Sequence, residues 1–190
     1  MPKKAVTTKE AIVEGAFQLI REQGLEALTA RNLAALLGCS TQPVMYQFPN
    51  LETLKDLVYQ RADAFHTEYL LSGEDLLEIG LRYVRFAREE PRLFRFLFQS
   101  NRFSGLNPED LIRAPEAAAL LSAVGSEEGL DPEAAFGYFE PLAALVHGYA
   151  SFIANNAMQY EPEAIRKALL AVTEGLEKER KSYDEPVQKE

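Results

Sequence analysis

The 190-residue chain is expected to be all-α, with a small N-terminal helical unit followed by a larger helical domain, on three observations. The stretch Leu28 to Leu54 reads as two short helices joined by a glycine turn, with a third starting behind them. Apolar residues through the rest of the chain recur at helical spacing, and one late segment, PLAALVHGYASFIANN, is apolar nearly all round. A hydrophobic content of 47% is enough to bury a substantial core, and Ser72-Gly73 breaks the pattern in a way that favours two domains over one.

Thr7 and Glu10 stand at the spacing of a capping box, so a first helix is expected to start there and to end at Gly24. Its stripe, Ile12, Val13, Ala16, Phe17 and Ile20, needs a partner, and the face Leu33, Leu36 and Leu37 of the next helix supplies one. Thr29 caps that second helix and Gly38 closes it in left-handed geometry. Cys39 tucks under the turn, and Ser40 caps a third helix about two turns long. Pro43 falls in its first turn, where a missing N–H costs little; Val44 and Phe48 lie on one side, and Pro49 ends it. Helix, glycine turn, short helix is the arrangement that sets a second helix into a DNA major groove, although helical hairpins that never meet DNA share it. The other side of the third helix, Thr41, Gln42, Met45 and Gln47, is small, polar or flexible and bears no charge to repel phosphate, which favours DNA.

Asn50 caps a long helix running to about Leu71, with Leu54, Leu57, Val58, Ala62 and Phe65 facing inward and Lys55 near its start. This helix links the two parts, so tilting it moves the third helix. The expected division is residues 1–50 for the helix-turn-helix unit, 51–73 for the connecting helix, 74–183 for a regulatory and dimerisation domain and 184–190 for a tail. From Glu74 to Glu89 runs another helix, with Leu77, Leu81 and Val84 inward, and Glu90-Pro91 opens a short aromatic one. Its phenylalanines have two readings, plain core or the wall of an apolar ligand cavity. The pocket residues on the second reading are Phe65, Phe86, Phe94, Phe98, Phe103, Tyr138 and His147. His147, on an apolar helix, is either a hydrogen-bonded structural residue or a proton sensor, and His66 reads as surface or pocket rim. Asn107-Pro108 and Pro115 punctuate the next segment, and Asp131-Pro132 starts a helix that ends near Asn156 with Pro141 kinking or splitting it. Beyond Pro141 the all-round apolar character implies contact with a second subunit, with Ala144, Gly148 and Ala150 permitting close approach. Glu161-Pro162 opens a last helix, whose charged end EKERKSYDEPVQKE is expected to fray into solvent. Two helices from each subunit then form a four-helix bundle across a two-fold axis, its seam drawn from Leu145, Gly148, Phe152, Ile165, Leu169, Val172 and Leu176.

Composition excludes several classes. No apolar run approaches the ~18 to 20 residues of a spanning helix and the lysine-containing start lacks a signal core, so a cytoplasmic protein without a membrane partner is expected. One cysteine and two histidines offer neither an intramolecular disulfide nor a structural zinc site, and no metal or cofactor is expected. Cys39 is a small turn residue or, alternatively, an oxidant sensor. The net charge of −9 is uneven: residues 1–50 carry +1 and the remainder −10, so an acidic body stands behind a near-neutral head. An enzyme is not expected, because no phosphate-cradling loop is visible and the histidines stand apart without acidic neighbours.

These elements together resemble a known family. Residues from about Thr7 to Leu57, with the spaced segments KEAIVEGAFQLIREQG, LTARNLAALLGCS, STQPVMYQFPN and LETL, are similar to the N-terminal domain of the TetR family of bacterial transcriptional regulators. The chain departs from the family at Met45, where an aromatic is usual and Tyr46 stands displaced by one, and at Leu51, where a lysine is frequent. From about Leu76 to Asn155, FAREEPRLFRFLF followed by VHGYASF resembles a common C-terminal type of that family. The resemblance implies a homodimer that places two helices in successive major grooves of a near-palindromic double-stranded DNA operator, represses transcription, and is released by a small-molecule effector, here an unknown apolar ligand. Gln42 and Gln47 are expected to read base edges, Thr41 a base or phosphate, and Met45 a thymine methyl, while Tyr46, Thr29 and Lys55 position the backbone. The competing reading is an all-helical interaction protein that uses its hydrophobic C-terminal helices and never binds DNA.

Overall fold

A computed structural model describes residues 8–113 and 117–184. Among them the chain is all-helical: α1 Lys9–Gln23, α2 Ala30–Leu36, α3 Thr41–Gln47, α4 Leu51–Leu71, α5 Leu76–Glu89, α6 Pro91–Phe98, α7 Pro108–Ile112, α8 Ala118–Glu128, α9 Pro132–Asn156 and α10 Pro162–Asp184. Thr8 caps α1, its Oγ1 accepting from the Ala11 N–H at 3.2 Å. Thr7, expected in that role, lies outside the described residues, as do Lys3, Lys4 and Pro115. At the starts of α2, α4 and α9 the short polar side chains do the capping that their types favour: Thr29 Oγ1 accepts from Asn32 N–H, Asn50 Oδ1 from Glu52 N–H and Asp131 Oδ1 from Glu133 and Ala134 N–H. The fifth helix begins at Leu76, later than the expected Glu74, because Asp75 Oδ1 accepts from Glu78 N–H at 2.7 Å and so defines the cap. The helix α9 is not split at Pro141 but continuous through it, and α10 stays helical through Asp184 where fraying was expected.

The chain divides into two compact units. Among the described residues the first takes the chain from Thr8 to Glu68 and then Glu90–Arg102; the second takes Tyr69–Glu89 and the chain from Phe103 to Asp184. This differs from the division drawn along the sequence at 50 and 73, because the aromatic helix α6 packs on α1 and buries Leu93, Phe94, Phe96 and Leu97 in the first unit; the tail expected from 184 lies, beyond Asp184, outside the described residues. That unit is cored by Ile12, Phe17 and Ile20 of α1, Leu33 of α2, Val44 and Phe48 around α3, and Leu54, Val58 and Ala62 of α4. Leu36, expected in the α2 face, is 49% exposed, and Ala34 is buried in its place. Close approach of α2 to α1 depends on Gly15, where a Cβ would stand 2.9 Å from Leu37 Cδ2. The ion pairs Arg21–Glu90 and Arg61–Glu14 add polar ties across the first unit, with the Arg61 guanidinium lying over the Phe17 ring.

In the second unit α5 and α9 form the principal pair, with α8 and α10 packed against α9. One cluster joins Leu81 and Val84 to Val146, Ile165 and Leu169; another joins Val124 to Ala135 and Tyr138. Arg82 secures the end of α4, its Nη1 donating to Ser72 Oγ at 2.8 Å and to the Tyr69 carbonyl at 3.2 Å.

Candidate nucleic-acid interface

The segment α2, turn, α3 is assembled by backbone rules. The Leu37 N–H donates to Leu33 O, Gly38 turns the chain at φ +64°, and Cys39 N–H donates back to Ala34 O at 2.9 Å. Cys39 is half-buried. Ser40 stands at the cap of α3 in extended conformation, without a side-chain cap bond. Pro43 is the third residue of α3, so its missing N–H falls among those without an intrahelical acceptor. Val44 is wholly buried and Phe48 nearly so, its N–H donating to Val44 O at 2.8 Å, and together they fix which side of α3 faces in.

The other side therefore faces out. Thr41, Gln42 and Gln47 are exposed, Met45 is 41% exposed and Tyr46 83%. Neither glutamine amide nor the Tyr46 hydroxyl has a hydrogen-bond partner among the described residues, so their donors and acceptors stand available to a ligand. Thr29 is exposed but committed through its oxygen to the α2 cap. Lys55 is paired, its ammonium 2.7 Å from Glu52 Oε1. The sequence reading missed Lys9, which is exposed at the start of α1 with its ammonium 5.5 Å from the centroid of the Phe48 ring. No spacing rule links positions 9 and 48; only the fold brings them together.

The seven residues expected around a ligand divide between the units. In the first, Phe94 is wholly buried, Phe65 meets the edge of Phe17 at 5.6 Å, and Phe98 lies against Phe94 and His66. In the second, Phe86 is wholly buried against Tyr69 and Phe103 is half-buried. Tyr138 is buried near Glu128, and burial pushes its hydroxyl pKa up. His147 Nδ1 is 2.9 Å from the Tyr83 hydroxyl, and burial holds its imidazole below the ordinary range. For Phe86 and Phe94 the plain-core reading describes the packing. His66, expected at the surface or on a pocket rim, is 4% exposed, and burial lowers its pKa to about 3. Two clefts of the second unit lie elsewhere. One of about 710 Å³ is lined by Leu121, Ser122, Leu130, Ala135, Phe136 and neighbours with Arg113 among them. The other, of about 370 Å³, is polar, with Arg82, Arg166 and three acidic residues.

Of the residues expected at a subunit seam, Ile165 and Leu169 are buried in their own unit against Leu81 and Val84, and so offer nothing to a second chain. Ala150 is likewise wholly buried. Leu145, Val172 and Leu176 are half-buried, Leu145 and Leu176 against the two core clusters. Phe152 is 54% exposed, and at Gly148 a Cβ would meet no atom within 4 Å. No helix of the described residues is long and apolar enough to cross a membrane, and no cluster of His, Cys, Asp and Glu among them is placed to hold a metal ion.

Residues 76–173 match a family model described as the tetracyclin repressor-like C-terminal domain. An uncharacterised HTH-type transcriptional regulator of Mycobacterium tuberculosis is 29% identical over 154 residues, covering 77% of this chain and 70% of that protein. The crystal structure of a protein described as a TetR-family transcriptional regulator from Rhodococcus superposes with a TM-score of 0.57 at 19% identity, covering 88% of this chain and 97% of the other, a likeness of fold.

Proposed function

The chain belongs to the TetR family of transcriptional regulators, and from that premise we propose that it is a repressor that binds a near-palindromic duplex as a homodimer and releases it when a small apolar ligand occupies the second unit. The observation that carries this reading is the outer side of α3, where Thr41, Gln42, Met45, Tyr46 and Gln47 are exposed and uncharged while Val44 and Phe48 anchor the helix from beneath. In a major groove the two glutamine amides pair with base edges, Thr41 reaches a base or a phosphate, Met45 meets a thymine methyl, and Tyr46 and Thr29 set the backbone. Lys55 joins them only by leaving Glu52.

The seam between subunits falls on Ala144, Gly148 and Phe152, one helical face of α9 at four-residue spacing, with Leu170 exposed on α10. The cleft of about 710 Å³ beside α8 and α9 has the volume of a small-molecule site. Such a ligand releases DNA only if it binds the arrangement incompetent for DNA more tightly; a tenfold shift needs ~1.4 kcal/mol of differential affinity. The helix α4 contributes to both units and is the continuous element through which that difference reaches the head.

Selection of bound duplexes from a random pool tests the proposal. The expected product is an inverted repeat with half-site centres about 10 base pairs apart or a multiple of that. Repeating the selection with Gln42→Ala should relax the preference at one position of each half-site and leave the others. A pool that enriches nothing would leave the non-DNA-binding helical interaction protein as the better account.

A further inference from the structure

We propose that the phosphate anchor of the DNA-binding head is Lys9, at the start of α1, and not Lys55; this rests on the DNA-binding reading above. A duplex is held largely by neutralising its phosphates, yet the outer side of α3 brings no cation to the task. Five basic residues lie between positions 8 and 68: Lys9, Arg21, Arg31, Lys55 and Arg61. Three are already matched by carboxylates: Arg21 by Glu90, with its Nε 2.9 Å from both carboxylate oxygens, Arg61 by Glu14 at 2.9 Å, and Lys55 by Glu52 at 2.7 Å. Among the described residues Lys9 and Arg31 have no carboxylate partner. Arg31 lies in the first turn of α2. Lys9 stands against the recognition segment, its ammonium 5.5 Å from the ring of Phe48, the residue that closes α3 directly after Tyr46 and Gln47.

The nature of that contact matters. A carboxylate partner cancels an ammonium's charge, whereas the face of an aromatic ring attracts and positions it while leaving the full charge available to a third group. Phe48 is 1% exposed and cannot itself move toward solvent, so it serves as a fixed seat that keeps the Lys9 ammonium beside the C-terminal end of α3. A phosphodiester running past that end of the helix meets a preplaced point charge. Lys55 must first give up Glu52 to make the same contact.

The salt dependence of binding separates this role from a structural one. With the full-length protein and its selected operator, log K against log salt has a slope of about −0.9 for each phosphate neutralised. Lys9→Gln removes one such contact from each head of a dimer and should make the slope shallower by about 1.8. Lys9→Arg should keep the wild-type slope, and Lys55→Gln should leave it unchanged. A stabilising lid on Phe48 alone would alter the thermal midpoint without touching the slope. A wild-type slope in Lys9→Gln, or a shallower slope in Lys55→Gln alone, overturns the assignment while the DNA-binding reading stands. Failure of the wild-type protein to enrich any duplex removes that reading and the anchor with it.

Discussion

His66 is neutral throughout the physiological range, because its imidazole is 4% exposed among the apolar side chains of the first unit and burial takes its pKa to about 3. An unfolded chain protonates the same histidine near its ordinary value of 6.5. The folded state binds fewer protons than the unfolded one between those two values, so stability is complete above about pH 6.5 and declines as the pH falls toward 3. Each unit of pH across that window costs about 1.4 kcal/mol for this one group. His147, also lowered by burial, acts in the same direction. Thermal midpoints measured from pH 7 to pH 5, above the range in which ordinary carboxylates protonate, should fall in the wild type and stay much flatter in His66→Leu; parallel curves for the two proteins would remove this account. The burial of His66 was legible in the sequence after all. Leu54, Val58, Ala62, His66 and Leu70 repeat every four residues along α4, and all five are buried. Read by its type, without its register, the residue goes to the surface or a pocket rim. The outward turn of Gln42, Tyr46 and Gln47 was legible for the complementary reason: Val44 and Phe48, spaced by four, leave a short helix only one side to bury.

Among the elements, two left-handed residues make a matched pair. Gly38 closes α2 at φ +64° with no atom within 4 Å of where a Cβ would stand, so Gly38→Ala isolates the conformational cost of that geometry. The expected loss is about 1 kcal/mol in chemical denaturation, with Gly38→Asn losing less because asparagine tolerates this region. Ala157 closes α9 at φ +51°, the same region, without the freedom of glycine. Ala157→Gly relieves that strain against a smaller gain in unfolded-chain entropy, and should stabilise the protein by about 0.5 kcal/mol. A loss in both variants would show that the two turns are governed by something other than φ. The glycine turn, the caps at Thr29, Asn50 and Asp131 and the bounds of α2, α3 and α4 were readable from local chemistry, because each depends on residues within four positions. The allegiance of α6 was not. Its phenylalanines announce burial but carry no record of the partner, and packing on α1, roughly seventy to ninety positions earlier, places it with the head. The same limit applies to the last helix, where a clean stripe at Ile165 and Leu169 could face its own chain or another; the core of Leu81, Val84 and Val146 claims it.

At the scale of the whole molecule, the charge distribution makes a lone head a poor ligand for DNA. Residues 1–50 carry a net charge of only +1 and the rest of the chain −10, and between positions 8 and 68 three of the five cations, Arg21, Lys55 and Arg61, are matched by carboxylates. One head therefore gains little from phosphate neutralisation, and useful affinity has to come from joining two of them, since the second then binds at high effective concentration. The proposed seam offers a way to cut that link without disturbing the core: Phe152 is 54% exposed, outside both clusters of the second unit, and stands in line with Gly148 and Ala144 on α9. Placing a carboxylate there leaves the monomer's packing intact but forces two like charges into an apolar contact near the two-fold axis. Phe152→Asp should sediment as a monomer with an unchanged helical circular dichroism spectrum and thermal midpoint at low concentration. Its affinity for the full inverted repeat should fall ~100-fold or more, while its affinity for a single half-site matches that of the wild type. A variant that stays dimeric moves the seam off α9, and a monomer that keeps full operator affinity would mean that each head binds alone, against what its charge allows.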